Sequence, residues 1–373
     1  MKCAIAALFL LFSRPASSFA SMDQSVLSGS MKPIMSSKQE QPPVPLIAVA
    51  SNTDVTPPSD YIDTSRSLVQ ALQNSGFLLV KSPLLTSELQ CNALEAASSF
   101  LQANDNDNDS KHVISHPTDP KIYAMLDSND IHNIQQDKHK QLRQYMDTLQ
   151  LIKMDILRHI AVGLGMKDCD FFAKLHNENN DTLRLISYHP SPTNSLALET
   201  GNRCKEHSDY GTITLLSTDG VSGLELFHQG KWMPVPHVKG ALVVNIGSLL
   251  SGWTKGALRA TLHRVAGPAS LNSTSPREDL LEAVKHTRTS IAFFADPNED
   301  VSASLTKSGD EEEQEQGLAE MMHGMSVSEY TEWRSGGSGI DRSGISFTSN
   351  ESDEMKGQLR EREDDCLIPP SKQ

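Results

Sequence analysis

Between Thr182 and Pro297 the chain consists of short apolar runs rich in β-branched and aromatic residues, separated by glycine, proline and other turn residues. Runs of this length suit strands better than helices. Many short strands in succession predict two packed sheets or a barrel. The best fit is a mostly β fold with a double-sheet jelly-roll core, with predicted strands at Leu183–Tyr188, Thr212–Leu216, Leu224–Phe227, Ala241–Ile246 and Ser290–Phe294.

Helices and strands alternate in the preceding part of the chain. Pro45–Val49 and Gly76–Val80 are predicted strands, and Ser65–Asn74 between them has helical spacing. Residues 139–166 carry apolar side chains every three or four positions, which predicts a long supporting helix. His159 lies inside this helix, and we expect it to be part of a packed or solvated helix surface rather than a metal ligand.

The N-terminus has the pattern of a targeting leader. Lys2 precedes an apolar stretch, Ala4–Phe12, that is far shorter than the roughly 20 residues of a membrane-spanning helix. Ser21–Lys38 is rich in Ser and Met and has Asp23 as its only acid, which resembles a transit peptide. The two together resemble the bipartite leader that directs proteins to the plastid of algae with secondary plastids. Secretion, or a cytoplasmic protein with an unstructured N-terminus, is the alternative.

These patterns divide the chain into six segments. The predicted organisation is a signal-peptide-like leader (1–20), a transit-like or disordered segment (21–43), an N-terminal α/β region (44–170), a jelly-roll domain (171–300), an acidic loop (301–325) and a short helix with a disordered tail (326–373).

Charge and cysteine content argue against two classes of protein. A formal net charge of −14 disfavours nucleic-acid binding, which needs clustered Lys and Arg. The cysteines lack the CxxC spacing of zinc knuckles and thioredoxin-type pairs; they are Cys3, Cys91, Cys169, Cys204 and Cys366. We expect a monomer with a small-molecule substrate, no nucleic-acid partner and no stable membrane span.

His207 and Asp209 form a pair of potential metal ligands. Residues i and i+2 of a strand point to the same face, so both side chains can enter a barrel interior. The pair alone also fits a surface loop. A third candidate, His263, follows in the strand-like stretch Thr261–Val265. Two imidazoles and a carboxylate leave octahedral positions open, which favours Fe(II) over structural zinc.

Arg288 and Ser290 form a second pair at i and i+2, leading into an apolar strand. The guanidinium group offers a planar fork of donors that matches a carboxylate, and the Ser290 hydroxyl can add a further hydrogen bond. A dicarboxylate could be held here at one end while its other end reaches the metal. A surface Arg paired with a nearby acid is the alternative.

The chain resembles the iron(II) and 2-oxoglutarate-dependent dioxygenases related to isopenicillin N synthase. The resemblance covers roughly residues 44–335 and rests on motifs that follow in family order: His207–Gly211, Thr214–Leu216, Gly223–Leu226, Gly230–Trp232, Gly240–Gly247, Leu262–Val265 and Arg288–Phe294. It implies a distorted, cupin-like double-stranded β-helix backed by helices.

The resemblance also implies the chemistry. The expected activity is oxidation, by default hydroxylation, of a small organic substrate, with Fe(II), O2 and 2-oxoglutarate, and with release of succinate and CO2. The implied metal ligands are His207, Asp209 and His263, and the implied co-substrate contacts are Arg288, Ser290 and Tyr188. The sequence departs from the family at Ile186, where many members have Asn, and at Ser248, where Asp is usual.

Three other functions remain open at this point. An oxidase of the isopenicillin N synthase type would use the same iron ligands without 2-oxoglutarate. A metal-binding sensor or interaction protein would keep the ligands on an inactive scaffold. A plain β-sandwich whose histidines serve packing would bind no iron. Of the 13 histidines, we expect eleven to be structural or exposed, including His189 and His228.

Overall fold

The fold is described from a computed structural model. It describes residues 44–51, 57–105, 113–117, 119–133, 140–190, 201–267, 278–299, 301–302, 326–327 and 329–330. The predicted leader, the transit-like segment and the tail beyond residue 330 lie outside these residues, as does nearly all of the acidic loop. Of the predicted closing helix, Val327, Glu329 and Tyr330 are described, and they are helical.

Twelve strands form two sheets in this part of the chain. The strands are β1 Leu46–Ala48, β2 Phe77–Lys81, β3 Val113–Ser115, β4 Lys121–Asp127, β5 Thr182–Tyr188, β6 Cys204–His207, β7 Ile213–Thr218, β8 Leu224–His228, β9 Lys231–Pro234, β10 Leu242–Ile246, β11 His263–Val265 and β12 Arg288–Ala295. The large sheet has the order β1-β2-β10-β7-β12-β5-β4-β3, and the small sheet has the order β6-β11-β8-β9.

Seven helices accompany the sheets in the residues that the structure describes. They are α1 Ser59–Asn74, α2 Ser87–Asp105, α3 Ser128–Asn133, α4 Lys140–Gly163, α5 Phe171–Lys174, α6 Ser248–Trp253 and α7 Glu278–Ala283. Within the described residues, none of them combines the length and the apolar character that crossing a lipid bilayer requires.

The large sheet has one face toward the helices and one toward a cavity. On β12, Ile291 and Phe293 join the apolar core that includes α1, α2 and α4. Ser290 and Ala292 line a cavity that side chains of both sheets enclose. This alternation follows from the two-residue repeat of a strand. Apolar burial on one face therefore fixes which side chains of β12 reach the cavity.

The predicted β core is confirmed. All five predicted strands are present, with boundaries shifted by one or two residues, and the long helix predicted over 139–166 is α4. Helix α1 begins at Ser59 rather than at Ser65, and it follows Pro58 in an extended conformation. Proline fixes φ and cannot donate a backbone hydrogen bond, so it suits the position before a helix.

The N-terminal region contributes directly to the β-helix. Strand β1 pairs in parallel with β2, and β2 pairs antiparallel with β10, so that Leu79 lies opposite Val243. At the other side of the sheet, β4 pairs antiparallel with β5. Four strands that precede residue 171 therefore belong to the same sheet as β5, β7, β10 and β12.

His159 is a packing residue, as the sequence predicted. Its ring stacks on Tyr61 with centroids 4.0 Å apart. Nε2 donates to the Ala50 carbonyl at 3.1 Å, and Nδ1 lies 2.8 Å from Ser65 Oγ. Burial lowers the pKa of His159 to about 4, although the Ala50 carbonyl opposes this shift. The folded protein therefore holds this imidazole neutral.

We expect His159 to make the protein less stable in mild acid. Its pKa is lower in the folded than in the unfolded chain, so its stabilising contribution is present above pH 6.5 and is lost as the pH falls toward 4. The free energy of unfolding should fall by about 2 kcal/mol from this residue between pH 7 and pH 5. Denaturant unfolding of the wild type and of His159→Gln at both pH values measures it. An equally steep pH dependence in the variant would refute the assignment.

Candidate metal and co-substrate site

Pairing between two short strands brings the candidate histidines together. His207 is the last residue of β6 and His263 the first of β11, and the two face each other in the antiparallel register. Asp209 was expected on the same strand as His207, but β6 ends at His207, and Asp209 lies in the segment that follows. There the Asp209 carbonyl accepts a backbone hydrogen bond from Ser248 at 2.8 Å, which fixes the segment against the start of α6.

The three side chains converge on one point. Asp209 Oδ1 lies 3.8 Å from His207 Nε2 and 3.6 Å from His263 Nε2, and the two imidazole centroids are 4.3 Å apart. One potential ligand atom from each residue lies within 4.8 Å of the others. Within the part of the chain that the structure describes, no other group of three His, Cys, Asp or Glu side chains meets this spacing.

Backbone carbonyls set the tautomer of both histidines. His207 Nδ1 lies 2.8 Å from the Lys205 carbonyl oxygen, and His263 Nδ1 lies 3.1 Å from that of Thr261. A carbonyl oxygen can only accept, so each Nδ1 carries a proton and donates. In neutral imidazoles the lone pair then resides on Nε2, the atom nearer to Asp209. This is the arrangement that metal-binding histidines require.

The two oxygens of the Asp209 carboxylate have different partners. Oδ2 accepts hydrogen bonds from Thr214 Oγ1 at 2.5 Å and from Asn245 Nδ2 at 2.7 Å. Oδ1 faces the two histidines. Thr214 on β7 and Asn245 on β10 therefore hold the carboxylate from the large sheet, while the histidines belong to the small sheet.

Removing the Asn245 side chain should weaken metal binding without abolishing it. We expect Asn245→Ala to lower Fe(II) affinity by about 10- to 100-fold, because hydrogen bonds that orient a ligand typically contribute this much. Anaerobic titration of Fe(II) measures the effect. Asn298→Ala is the matched control, since Asn298 is outside the cavity and pairs with Asn177. Unchanged affinity in Asn245→Ala would contradict the orienting role.

The electrostatics of the three residues suit a cation. Burial would raise the pKa of Asp209, but His263, His207 and the two hydrogen bonds hold it below its usual value. Burial and the neighbouring His207 lower the pKa of His263 to about 4. Burial alone would lower the pKa of His207, but Cys204 and Asp209 outweigh this effect and raise the pKa to about 9. A metal ion would therefore displace one proton, chiefly from His207.

This donor set fits the group that the sequence implies. Two imidazole nitrogens and one carboxylate oxygen would hold Fe(II) and would leave further coordination positions for small ligands. A structural zinc ion would require a fourth protein ligand. His207, Asp209 and His263 can therefore hold Fe(II), and Phe77 shields the site by packing edge-on against His263 at 5.5 Å.

Arg288, Ser290 and Tyr188 meet in the same cavity. Tyr188 lies opposite Arg288 in the register of β5 and β12, and the guanidinium carbon lies 5.1 Å from the phenol centroid. Arg288 Nε donates to the Val221 carbonyl at 3.2 Å, and Nη1 donates to Ser290 Oγ at 3.4 Å. These contacts fix the guanidinium group in a buried position where it can bind an anion.

The cavity encloses both sets of residues. Apart from the polar groups, its described walls are apolar and comprise Phe77, Ile186, Leu216, Leu224, Val265, Ala292 and Phe294. Ile186, the departure from the family noted in the sequence, thus contributes an apolar wall. Such walls lower the local dielectric constant and strengthen the polar contacts inside.

Sequence reasoning missed several residues of the site. Asn245 could have been noticed as a polar side chain within the apolar strand β10. Arg184 lies two positions before Ile186 and four before Tyr188, so all three side chains point to the same face of β5. The position of Arg184 on the cavity side was therefore also predictable. The sequence did not indicate that Lys121 belongs to the site, because β4 had not been predicted.

Comparisons with known proteins agree with this geometry. Residues 179–297 match the family model of the 2OG-Fe(II) oxygenase superfamily. The 2-oxoglutarate-dependent dioxygenase ecdK of Aspergillus rugulosus is 33% identical over 171 residues, which are 44% of this chain and 48% of that protein. The proline hydroxylase buaE of Petromyces alliaceus is 34% identical over 165 residues, 43% of this chain and 48% of that protein. The chain thus spans about half the length of these curated relatives.

Solved structures share the fold. A full-length Neurospora crassa protein, crystallised with alpha-KG and 5-formyluracil, aligns with a TM-score of 0.58 and 22% identity, covering 71% of this chain and 89% of that one. Dioxygenase for auxin oxidation 1 from Arabidopsis thaliana, in a 2-oxoglutarate complex, aligns with a TM-score of 0.53 and 18% identity over 69% of this chain and 94% of that one. The double-stranded β-helix predicted from the sequence is confirmed.

Proposed function

We propose that this protein, whose residues 179–297 match the family model of the 2OG-Fe(II) oxygenase superfamily, is an Fe(II)- and 2-oxoglutarate-dependent dioxygenase. The observation that carries the proposal is the convergence of His207, Asp209 and His263 with both Nε2 atoms directed to one point beside Asp209 Oδ1. The expected reaction oxidises, by default hydroxylates, a small organic substrate and releases succinate and CO2.

The protein's own part in this reaction is to bind, to orient and to exclude water. His263, and His207 after loss of its extra proton, would present Nε2 lone pairs, and the carboxylate oxygen of Asp209 supplies one negative charge. When bound, Fe(II) supplies the redox chemistry that activates O2 for oxidation of the substrate. The apolar walls limit the access of water to the reacting groups.

Arg288 is the proposed anchor for the distal carboxylate of 2-oxoglutarate. It is 1% exposed and is fixed by the Val221 carbonyl and the Ser290 hydroxyl. Tyr188 flanks it on the neighbouring strand. A planar guanidinium group in a low-dielectric cavity is well suited to a carboxylate because it can donate two parallel hydrogen bonds.

The activity is tested with the full chain and a panel of small organic substrates. The protein is mixed with Fe(II), 2-oxoglutarate and one candidate under anaerobic conditions and is then exposed to O2. We expect substrate-dependent succinate in equal amount to the oxidised product, and none from His207→Ala. Oxidised product without succinate would instead support the oxidase related to isopenicillin N synthase.

We also propose that residues 1–43 target the protein to the plastid through the secretory pathway and that the protein is a monomer. The support for targeting is the signal-like pattern of residues 1–20 followed by an acid-poor, Ser-rich stretch. A fluorescent fusion of residues 1–43 in an alga with a secondary plastid tests the first proposal, and light scattering tests the second. Cytosolic fluorescence would refute plastid targeting, and the mass of a dimer would refute the monomer.

A further inference from the structure

A second buried guanidinium group lies close to Arg288. Arg203 immediately precedes β6 and is 1% exposed. Its Nη2 donates hydrogen bonds to the backbone carbonyl oxygens of Val284 at 2.9 Å and of His286 at 2.6 Å. His286 is two residues before Arg288, the first residue of β12. The two hydrogen bonds therefore fix the Arg203 guanidinium group beside the segment that leads into the proposed co-substrate anchor.

The remaining donors of Arg203 have no acceptor. Its Nε and Nη1 atoms are buried and make no hydrogen bond within the residues that the structure describes. The acceptors of Nη2 are neutral carbonyl groups. A buried cation whose acceptors are all neutral is costly, and a negative charge nearby lowers that cost. The surroundings of Arg203 are therefore suited to an anion.

Arg288 adds to the positive charge around Arg203. The pKa of Arg203 is lowered to about 10, first by burial and then by the charge of Arg288, while Tyr188 and Asp219 oppose the shift. Two like charges at short range in a buried region repel each other. An anionic group bound at Arg288 would relieve this repulsion.

Asp219 compensates part of this charge. Its Oδ1 accepts a hydrogen bond from the backbone nitrogen of Val221 at 3.0 Å, and its Oδ2 accepts one from the backbone nitrogen of Thr289 at 2.5 Å. Both oxygens thus bind backbone groups of the segments on either side of the Arg288 side chain. Arg203, Arg288 and Asp219 together carry one net positive charge, which equals the charge that a single carboxylate would neutralise.

We propose that Arg203 is a second cation of the co-substrate site, which with Arg288 creates the positive potential that selects 2-oxoglutarate over 2-oxo acids without a distal carboxylate. Arg203 is not among the described residues that line the cavity, so it acts through its charge rather than by contact. Buried charges are screened little by salt and water. The inference rests on the proposed dioxygenase function, which assigns the distal carboxylate to Arg288.

Two 2-oxo acids of equal chain length isolate this effect. 2-Oxopentanoate has the five carbons of 2-oxoglutarate but ends in a methyl group. The full chain is loaded anaerobically with Fe(II) and titrated with each acid by calorimetry. In Arg203→Gln, which keeps an amide donor but removes the charge, we expect the dissociation constant of 2-oxoglutarate to rise at least about tenfold. The affinities for 2-oxopentanoate and for Fe(II) should change by no more than about twofold.

These two reference affinities distinguish a charge effect from damage to the cavity. A loss for 2-oxopentanoate or Fe(II) as large as the loss for 2-oxoglutarate would show that Arg203 only maintains the structure, and it would overturn the inference. Unchanged affinity for 2-oxoglutarate would overturn it as well.

Further variants assign the effect to the charge of Arg203. Arg203→Lys keeps the charge and should retain most of the preference for 2-oxoglutarate, whereas Arg203→Met should behave like Arg203→Gln and provides a second neutral variant if one of them does not fold. Arg158→Met is the matched control, because Arg158 is on α4 and pairs with Asp170 at 2.7 Å away from the cavity. A preference as low in Arg203→Lys as in Arg203→Met would refute the electrostatic role.

The wild-type titration separates this inference from the function on which it rests. Wild-type protein that fails to bind 2-oxoglutarate with Fe(II) would defeat the dioxygenase proposal and, with it, this inference. Wild-type protein that binds 2-oxoglutarate, together with an Arg203→Gln variant that binds it equally well, would leave the dioxygenase proposal standing and refute the role of Arg203 alone.

Discussion

Replacing Asp209 with asparagine is expected to lower Fe(II) affinity by at least about 100-fold and to remove substrate-dependent succinate formation. The change keeps the shape of the side chain but removes the negative charge between His207 and His263. Loss of a hydrogen bond to a ligand already costs about 10- to 100-fold, so loss of the charged ligand itself should cost more. Anaerobic Fe(II) titration and succinate quantification measure the two effects.

Two further variants make this result interpretable. His207→Ala should behave like Asp209→Asn, whereas His228→Ala should retain iron, because His228 ends β8 and is not among the residues that line the cavity. Unfolding curves establish that the variants fold. Wild-type iron affinity in a folded Asp209→Asn protein would rule out the proposed ligand set.

Replacing Arg288 with alanine should raise the 2-oxoglutarate concentration needed for half-maximal rate by about 30- to 1000-fold. This range corresponds to the loss of one or two charge-assisted hydrogen bonds in a buried site. Iron affinity should change by less than about twofold, since Arg288 contacts Val221, Ser290 and Tyr188 rather than the metal ligands. Initial rates against 2-oxoglutarate concentration, with parallel iron titrations, provide the measurement.

A second substitution at residue 288 tests whether the planar guanidinium group is needed or only its charge. Arg288→Lys keeps the charge but loses the planar fork, so we expect an intermediate defect. Equal losses of iron and 2-oxoglutarate binding in Arg288→Ala would indicate general damage to the cavity and would count against a specific anchor.

The sequence was most informative where two-residue alternation and family motifs coincide. Alternation along β12 placed Arg288 and Ser290 on one face, and the structure puts both in the cavity. Short β-rich runs between turn residues predicted the strands that became β5, β7 and β10. The prediction that the three candidate ligands converge depended on the family motifs, because the spacing of His207 and Asp209 alone also fits a surface loop.

Other features required tertiary structure. Asp209 was assigned to a strand, but its position is fixed by backbone hydrogen bonding to Ser248 and side-chain hydrogen bonds from Thr214 and Asn245. No local sequence pattern indicates the contacts of Asp209 with Ser248 and Asn245, which lie far from it along the chain. Helix α2 and strand β4 were not predicted, so Lys121 could not be placed next to Tyr188.

In the proposed iron site, the pairing of His207 with His263 would couple iron binding to the stability of the folded protein. The two residues are neighbours only when β6 and β11 are paired, although a long stretch of chain separates them. An unfolded chain therefore offers the ion no assembled binding site, and mass action favours the native state whenever iron is present. At a free iron concentration 100 times the dissociation constant, this linkage adds about 2.7 kcal/mol. We therefore expect iron starvation to shorten the lifetime of this protein as well as to remove the proposed activity.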